Sequence, residues 1–293
     1  MFDITSYEEA NSVQHAIDLL AANPQAQLIA GGTDVIIRLR EGKVSDANLI
    51  SIHDLDELKG VSIKTDGTIV IKPVTTFTSL AEHPIIKQHL PFLGEAVSTV
   101  GGPQTRHVGT IGGNVCNGAT SADSASTLFA LNARLCITGP SGIRTSTIQD
   151  FYKGPGKVAL THGEILTAIL ISPKDYLGFS GHYIKYTLRN AMDIAMLGCS
   201  VTVKLGIDHS VADFRLAFGV AAPTPMRCLR TEAAVKGHHF SEDLVERVGE
   251  LAVSEVNPRT SWRASKEYRL QLVGELSKRA FRKAMSKTGG KGV

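Results

Sequence analysis

The chain has 293 residues, 43% of them hydrophobic and 20% charged, with a formal net charge of +3. That length exceeds one ordinary domain of roughly 100–200 residues, so two or three packed units are expected. A charge this small, with only a loose basic cluster from Lys266 to Lys291, argues against nucleic acid, and neither a leader-like start nor an apolar run of membrane length is visible, so the cytoplasm is the expected location.

Residues 8–22 place Ala10, Val13, Ala16, Ile17, Leu19 and Leu20 at helical spacing, closed by Asn23-Pro24. QLIAGG then reads as a short strand running into a glycine turn. Thr33 and Asp34 are good N-cap types for the amphipathic run VIIRLREGK that follows. NLISI (48–52) is a further strand, which completes a β-α-β unit. VSIKTDGTIVIKP alternates around Asp66-Gly67, a hairpin signal. Residues 76–98 read as helical with breaks near Pro84 and Pro91, and GGPQTRHVGTIGGNVCNG as a long glycine-rich loop. A helix over 121–131, the strand ARLCIT and a turn at GPSG come next. Strands are expected at 164–171, 182–188, 196–205 and 211–220, and helices at 241–254 and 263–286. Strands dominate the middle and helices the tail, which favours an α+β architecture. Composition shifts near residue 55 and near Pro173 divide the chain into expected domains 1–55, 56–175 and 176–293.

Cys116, Cys136, Cys199 and Cys228 are widely spaced, with no C-x-x-C pair, so neither zinc nor an iron–sulfur cluster is expected on this chain, and the cysteines read as buried reduced thiols. His238-His239 lacks a third ligand nearby and reads as a solvated pair. Trp262 is expected to anchor the last helix. No Ser/His/Asp or Cys/His spacing points to a nucleophile, so no catalytic side chain is assigned.

Two glycine stretches carry the chemical signal. In AGGTD (30–34) the glycines remove the Cβ that would hold a ligand away, and successive N–H groups before a helix form a concavity suited to phosphate oxygens. The pattern is neither G-x-G-x-x-G nor a Walker loop. TIGGN repeats that chemistry at Thr110, Gly112, Gly113 and Asn114 and continues through Asn117, Gly118, Thr120, Ser121 and Asp123. Two such hollows fit one extended ligand with a diphosphate, a hydroxyl-rich chain and a flat ring. His107 flanks the second hollow and could reach a phosphate. The bland alternative is a pair of tight turns.

AGGTD, GPQTRHVGTIGGNVCNGATSAD, GEIL, YIKY and WRASKEYR, in that order and spacing, closely resemble the FAD-binding medium subunits of bacterial xanthine dehydrogenases, within the molybdenum hydroxylase flavoproteins. The resemblance implies a two-subdomain FAD-binding fold of the vanillyl-alcohol oxidase type and a smaller C-terminal α/β domain with an antiparallel sheet. It implies that Leu28, Ile29, Ala30, Gly31, Gly32, Thr33, Asp34 and Val35 line the FAD diphosphate together with Gly109, Thr110, Ile111, Gly112, Gly113 and Asn114. Asn117 and Asp123 would hold ribityl or ribose hydroxyls, and Leu166 and Lys185 would touch the flavin.

By the same resemblance, the molybdenum cofactor and [2Fe–2S] clusters sit in partner subunits and hydride leaves for NAD⁺ during purine oxidation. Where eukaryotic relatives place an aromatic before the second loop, this chain has Val100. LRNAMDIA (188–195) matches a mobile segment beside the flavin, with Arg189 and Asp193 as candidate residues. Loss of Lys185 is expected to alter the flavin potential rather than folding. Two siblings remain open: the medium subunit of another molybdenum hydroxylase, for carbon monoxide or an aldehyde, and an autonomous flavin reductase similar to those acting on UDP-linked sugars. A non-enzymatic nucleotide-binding module is the remaining class.

Overall fold

The computed structural model describes residues 2–289; Lys291 of the basic cluster and the last residues of the third expected domain lie outside them. The chain begins with β1 (Ile4–Glu9), α1 (Val13–Ala22), β2 (Ala26–Ile29), α2 (Val35–Arg40) and β3 (Ala47–Ser51). The strands form a parallel sheet in the order β1-β3-β2. Because side chains alternate along a strand, β3 feeds two cores. Ile50 packs with Ala16, Ile17 and Leu20 of α1, and Leu49 packs with Leu39 of α2. The helix expected from residue 8 starts at Val13 instead, where the Ser12 hydroxyl accepts the His15 N–H.

The second sheet begins with the hairpin β4 (Val61–Ile63) and β5 (Ile69–Ile71), which turns at Asp66-Gly67. Helices α3 (Phe77–Glu82), α4 (Pro84–His89) and α5 (Pro91–Ser98) follow, with Pro84 and Pro91 each opening a helix where a missing N–H costs nothing. The stretch read as a glycine loop contains two short helices, α6 (Pro103–Val108) and α7 (Ile111–Cys116), ahead of α8 (Asp123–Ala130). Then come β6 (Arg134–Gly139), β7 (Gly142–Thr147), α9 (Ile148–Phe151), β8 (Tyr152–Gly154), β9 (Lys157–Val158) and β10 (Ile165–Ile171). An antiparallel sheet runs β4-β5-β10-β6-β7, and β8 pairs with β9 alone.

The last sheet is antiparallel, β11 (Phe179–Tyr186), β12 (Leu197–Leu205), β13 (Val211–Gly219) and β14 (Met226–Arg227) in chain order. Helices α10 (Leu229–Val235), α11 (Glu242–Glu255) and α12 (Lys266–Ser286) complete the chain, with Val245, Val248, Val273 and Phe281 packed on Phe214 and Phe218 of β13. Every residue of α8 is buried, and Ser200 of β12 donates to Thr127 of α8 at 3.3 Å. The Arg215–Asp175 pair, 3.0 Å and almost wholly buried, closes the same seam. Trp262 is 78% exposed, with the Arg263 guanidinium stacked on its ring, and so does not anchor α12. Arg269 does that: it is buried and donates to the Met196 carbonyl and the Ser261 hydroxyl.

Candidate functional site

The two glycine stretches touch. A Cβ built on Gly31 would lie 1.9 Å from the Val108 carbonyl oxygen and 3.0 Å from Gly109 Cα, so only glycine lets the turn after β2 rest on the joint between α6 and α7. Gly32 adopts φ +68°, which turns the chain into α2. Among the described residues, the amides of Gly31, Gly32, Thr33 and Asp34 donate to no protein acceptor. The Asp34 side chain makes no capping bond to α2 either. Four neighbouring donors are therefore left for solvent or a ligand. Leu28 and Ile29 lie in β2, and Val35 packs against the cluster containing Ile29 and Leu39, so these three positions frame the turn.

A cleft of about 270 Å³ opens beside that turn, at the carboxyl ends of β2 and β3, lined by Ala30, Gly31, Val108, His53 and Tyr7 among others. Open sheets with parallel strands leave such crevices at this end. His53 Nδ1, on the cleft wall, is buried without a hydrogen-bond partner. A hollow of about 470 Å³ along Asn11 and Asp54–Glu57 has three carboxylates on its rim and repels a diphosphate.

In the part of the second stretch that forms α7, the amides of residues 111–114 are committed. Ile111 N donates to Thr75 O, Gly112 N to Pro73 O at 2.8 Å, and Gly113 N to the Thr110 hydroxyl that caps α7. Gly109 and Gly112 are packing glycines: added Cβ atoms would meet Thr105 O at 2.7 Å and Pro73 Cβ at 2.4 Å. Gly113 differs. It is exposed, and its Cβ would meet only the Thr110 hydroxyl of its own turn, at 3.0 Å. Beside this open shelf, Asn114 Oδ1 accepts from Ser124 at 2.7 Å, and Asn117 ends α7. His107 is exposed at the end of α6, and Leu166 is buried in the same core as Ile111 and Val115 of α7. The turn at 31–34 and α7 thus supply different things: free donors from one, an uncovered backbone shelf from the other.

Next to Ser124, Asp123 opens α8 and is 7% exposed. Its Oδ2 accepts from Lys185 Nζ at 2.8 Å and its Oδ1 from the Tyr183 hydroxyl at 2.9 Å. Lys185 also donates to the Thr99 carbonyl at the end of α5, 2.9 Å away. The Lys185 side chain is therefore held inside an ion pair rather than on the surface of β11. Burial pushes the Asp123 carboxyl above its usual range, although Lys185 and Tyr183 pull it back. Thr99 carries no motif, and although Tyr183 opens the YIKY motif, nothing in the sequence pairs either residue with Asp123.

The 188–195 segment is held by its own groups. Asp193 accepts the amides of Leu188, Arg189 and Ile194, and Arg189 donates to the Met192 carbonyl. Met192 lies over the start of α6, where a Cβ on Gly102 would meet its side chain at 3.3 Å.

The family described as the FAD binding domain in molybdopterin dehydrogenase matches residues 2–174. The chain belongs to this family. The CO dehydrogenase flavoprotein C-terminal domain matches residues 182–284. A xanthine dehydrogenase FAD-binding subunit of Escherichia coli O157:H7 is 45% identical, over 99% of each chain. The glyceraldehyde dehydrogenase medium chain of Sulfolobus acidocaldarius is 31% identical, over 94% of this chain and 97% of its own. The solved carbon monoxide dehydrogenase of Hydrogenophaga pseudoflava superposes with TM-score 0.92 at 28% identity, over 98% of this chain and 99% of that one. This chain is accordingly an FAD-binding subunit of the molybdenum hydroxylase type, with the two-domain FAD fold of such subunits.

Proposed function

We propose that this chain is the FAD-binding subunit of a cytoplasmic xanthine dehydrogenase, with an iron–sulfur small subunit and a molybdenum-cofactor large subunit as partners and NAD⁺ as acceptor. Residues 1–55 and 56–175 are the two halves of the FAD-binding domain in this reading, and 176–293 the covering domain. The observation that carries it is the contact of Gly31 with Val108 and Gly109, which joins four unpaired amides to the open shelf at Gly113.

The residues fit FAD. Gly31, Gly32, Thr33 and Asp34 present amides to the diphosphate, and the uncovered backbone at Gly113 lets a flat or extended group pass without a side chain in its way. Leu28, Ile29, Ala30 and Val35 fix that turn; Gly109, Thr110, Ile111 and Gly112 fix the shelf; Leu166 supports it from below. Asn114 keeps its amide nitrogen for a ligand oxygen, and Asn117 adds another polar group at the end of α7. Lys185 and Asp123 form an ion pair next to Ser124, which bonds Asn114 beside the shelf, and in this reading the ammonium end faces the ring and favours negative charge on it when reduced. FAD bound there supplies the two-electron chemistry that links one-electron [2Fe–2S] clusters to hydride acceptance by NAD⁺. No side chain needs to act as nucleophile or general acid.

The assembled complex tests this reading. Purified with its partners, it is expected to carry one FAD per chain and to form NADH, read at its absorbance band, when given xanthine and NAD⁺. Turnover with carbon monoxide or an aldehyde but not with purines would assign a sibling enzyme, and a colourless chain that takes up no FAD would refute the site.

A further inference from the structure

Within that FAD reading, on which this step rests, we propose that Tyr183 is a positioning residue: its hydroxyl fixes one oxygen of Asp123, so that the other holds Lys185 against the wall of the flavin groove. The geometry is built for that task. Tyr183 and Lys185 stand two residues apart on β11 and so project from the same face toward one carboxylate. Each takes a different oxygen of Asp123, at 2.9 and 2.8 Å. The hydroxyl fits because the neighbouring strand offers no side chain: a Cβ on Gly198, which pairs with Lys185 across the ladder, would lie 3.1 Å from it.

The network reaches the shelf in one step, since Ser124, next to Asp123, donates to Asn114 beside Gly113. Tyr183 is 5% exposed, and burial together with the Asp123 carboxylate keeps its phenol protonated and a donor. The other groups facing the pair are Lys185 on β11, Thr99 at the end of α5 and Cys199 on β12, whose thiol burial keeps protonated. Asp123 is thus the group in this cluster that can change charge when the hydroxyl is lost.

Tyr183→Phe keeps the ring and removes only the bond. In the purified complex its FAD is expected to bind roughly tenfold more weakly, in keeping with loss of one hydrogen bond to a charged group. FAD affinity should also become more pH-dependent than in the wild type, weakening as the pH falls, because Asp123, already raised by burial, loses a donor to its ionised form. In an Asp123→Asn background the Tyr183→Phe change should have no further effect on affinity.

A merely structural tyrosine would lower the melting temperature and leave the pH profile of FAD binding the same as in the wild type; that result overturns the proposal. If Tyr183→Phe fails to fold, Gly198→Ala crowds the hydroxyl without removing it and should reproduce the added pH dependence, and a profile unchanged from wild type there overturns the proposal equally. Wild-type complex that binds no FAD removes the underlying reading as well. Wild-type binding with an indifferent Tyr183→Phe removes this inference alone.

Discussion

The turn at 30–34 and the helix at 111–116 look alike in sequence, yet their glycines do different work. In the turn, Gly31 closes on the Val108 carbonyl while the amides around it stay free; in the helix, Gly112 closes on Pro73 and the amides are used, leaving Gly113 uncovered. Glycine content alone therefore marks where backbones approach closely, and most of those approaches are protein to protein. A ligand hollow is distinguished by what stays unpaired: donors without acceptors, or a missing side chain that faces nothing.

The largest effect that separates these roles comes from two adjacent substitutions. Gly112→Val would force a side chain into Pro73, at 2.4 Å from its Cβ and 2.7 Å from its carbonyl, where backbone must move. Its cost is expected to exceed about 3 kcal/mol, read as a lower denaturation midpoint or as insoluble protein. Gly113→Val meets only the Thr110 hydroxyl and should change stability by less than about 1 kcal/mol, because valine is no worse a helix former than glycine. The same change should expel FAD while circular dichroism stays native. Stoichiometric FAD in Gly113→Val, or a well-folded Gly112→Val, would break the comparison.

Lys185→Met comes next. Sequence reasoning expects an effect on the flavin and not on folding, but the structure buries Lys185 with Asp123, so its loss strands a carboxylate in the seam between α8 and β11. A destabilisation of about 3 kcal/mol at pH 7 is expected, easing as the pH falls and Asp123 protonates. The sign follows from the raised Asp123 value: the native state holds that proton at higher pH than the unfolded chain, so stability declines as pH rises through it. Denaturation at pH 5 and pH 8 measures this, and a variant as stable as wild type at both would place Lys185 in solvent.

Much of this was legible. Proline punctuation marked α4 and α5, and alternation marked the long strands of the last sheet. Three things were hidden. β1 is exposed along nearly its whole length, so it carries no apolar alternation: residues 4–7 suggest no element, and Glu8 and Glu9 fall at the start of the expected helix. α7 contains two glycines and an asparagine, poor helix formers, yet forms because Thr110 caps it and Ile111 and Val115, one turn apart, are both fully buried. The Asp123–Tyr183 bond joins residues 60 apart in the chain, a proximity made only by packing. The signal for α7 was available in the Thr110 cap and the Ile111–Val115 spacing; Tyr183 stood in YIKY, but no pattern there linked it to Asp123.

The smallest expected effect contrasts that buried pair with a surface one outside both glycine stretches. Glu164, beside β10, accepts two bonds from Arg144 and the Thr161 amide, and these hold its carboxyl down to about 2. A depressed carboxylate stabilises the fold above its unfolded value near 4.5 and loses that contribution as pH falls toward 2, the opposite of Asp123. Because Arg144 is 42% exposed, screening reduces the contribution to about 1 kcal/mol. Glu164→Gln should therefore trail wild type by about that amount at pH 6 and match it near pH 2. A gap that persists unchanged in acid would mean that Glu164 acts through packing, and that the surface pair and the buried pair differ in degree rather than in kind.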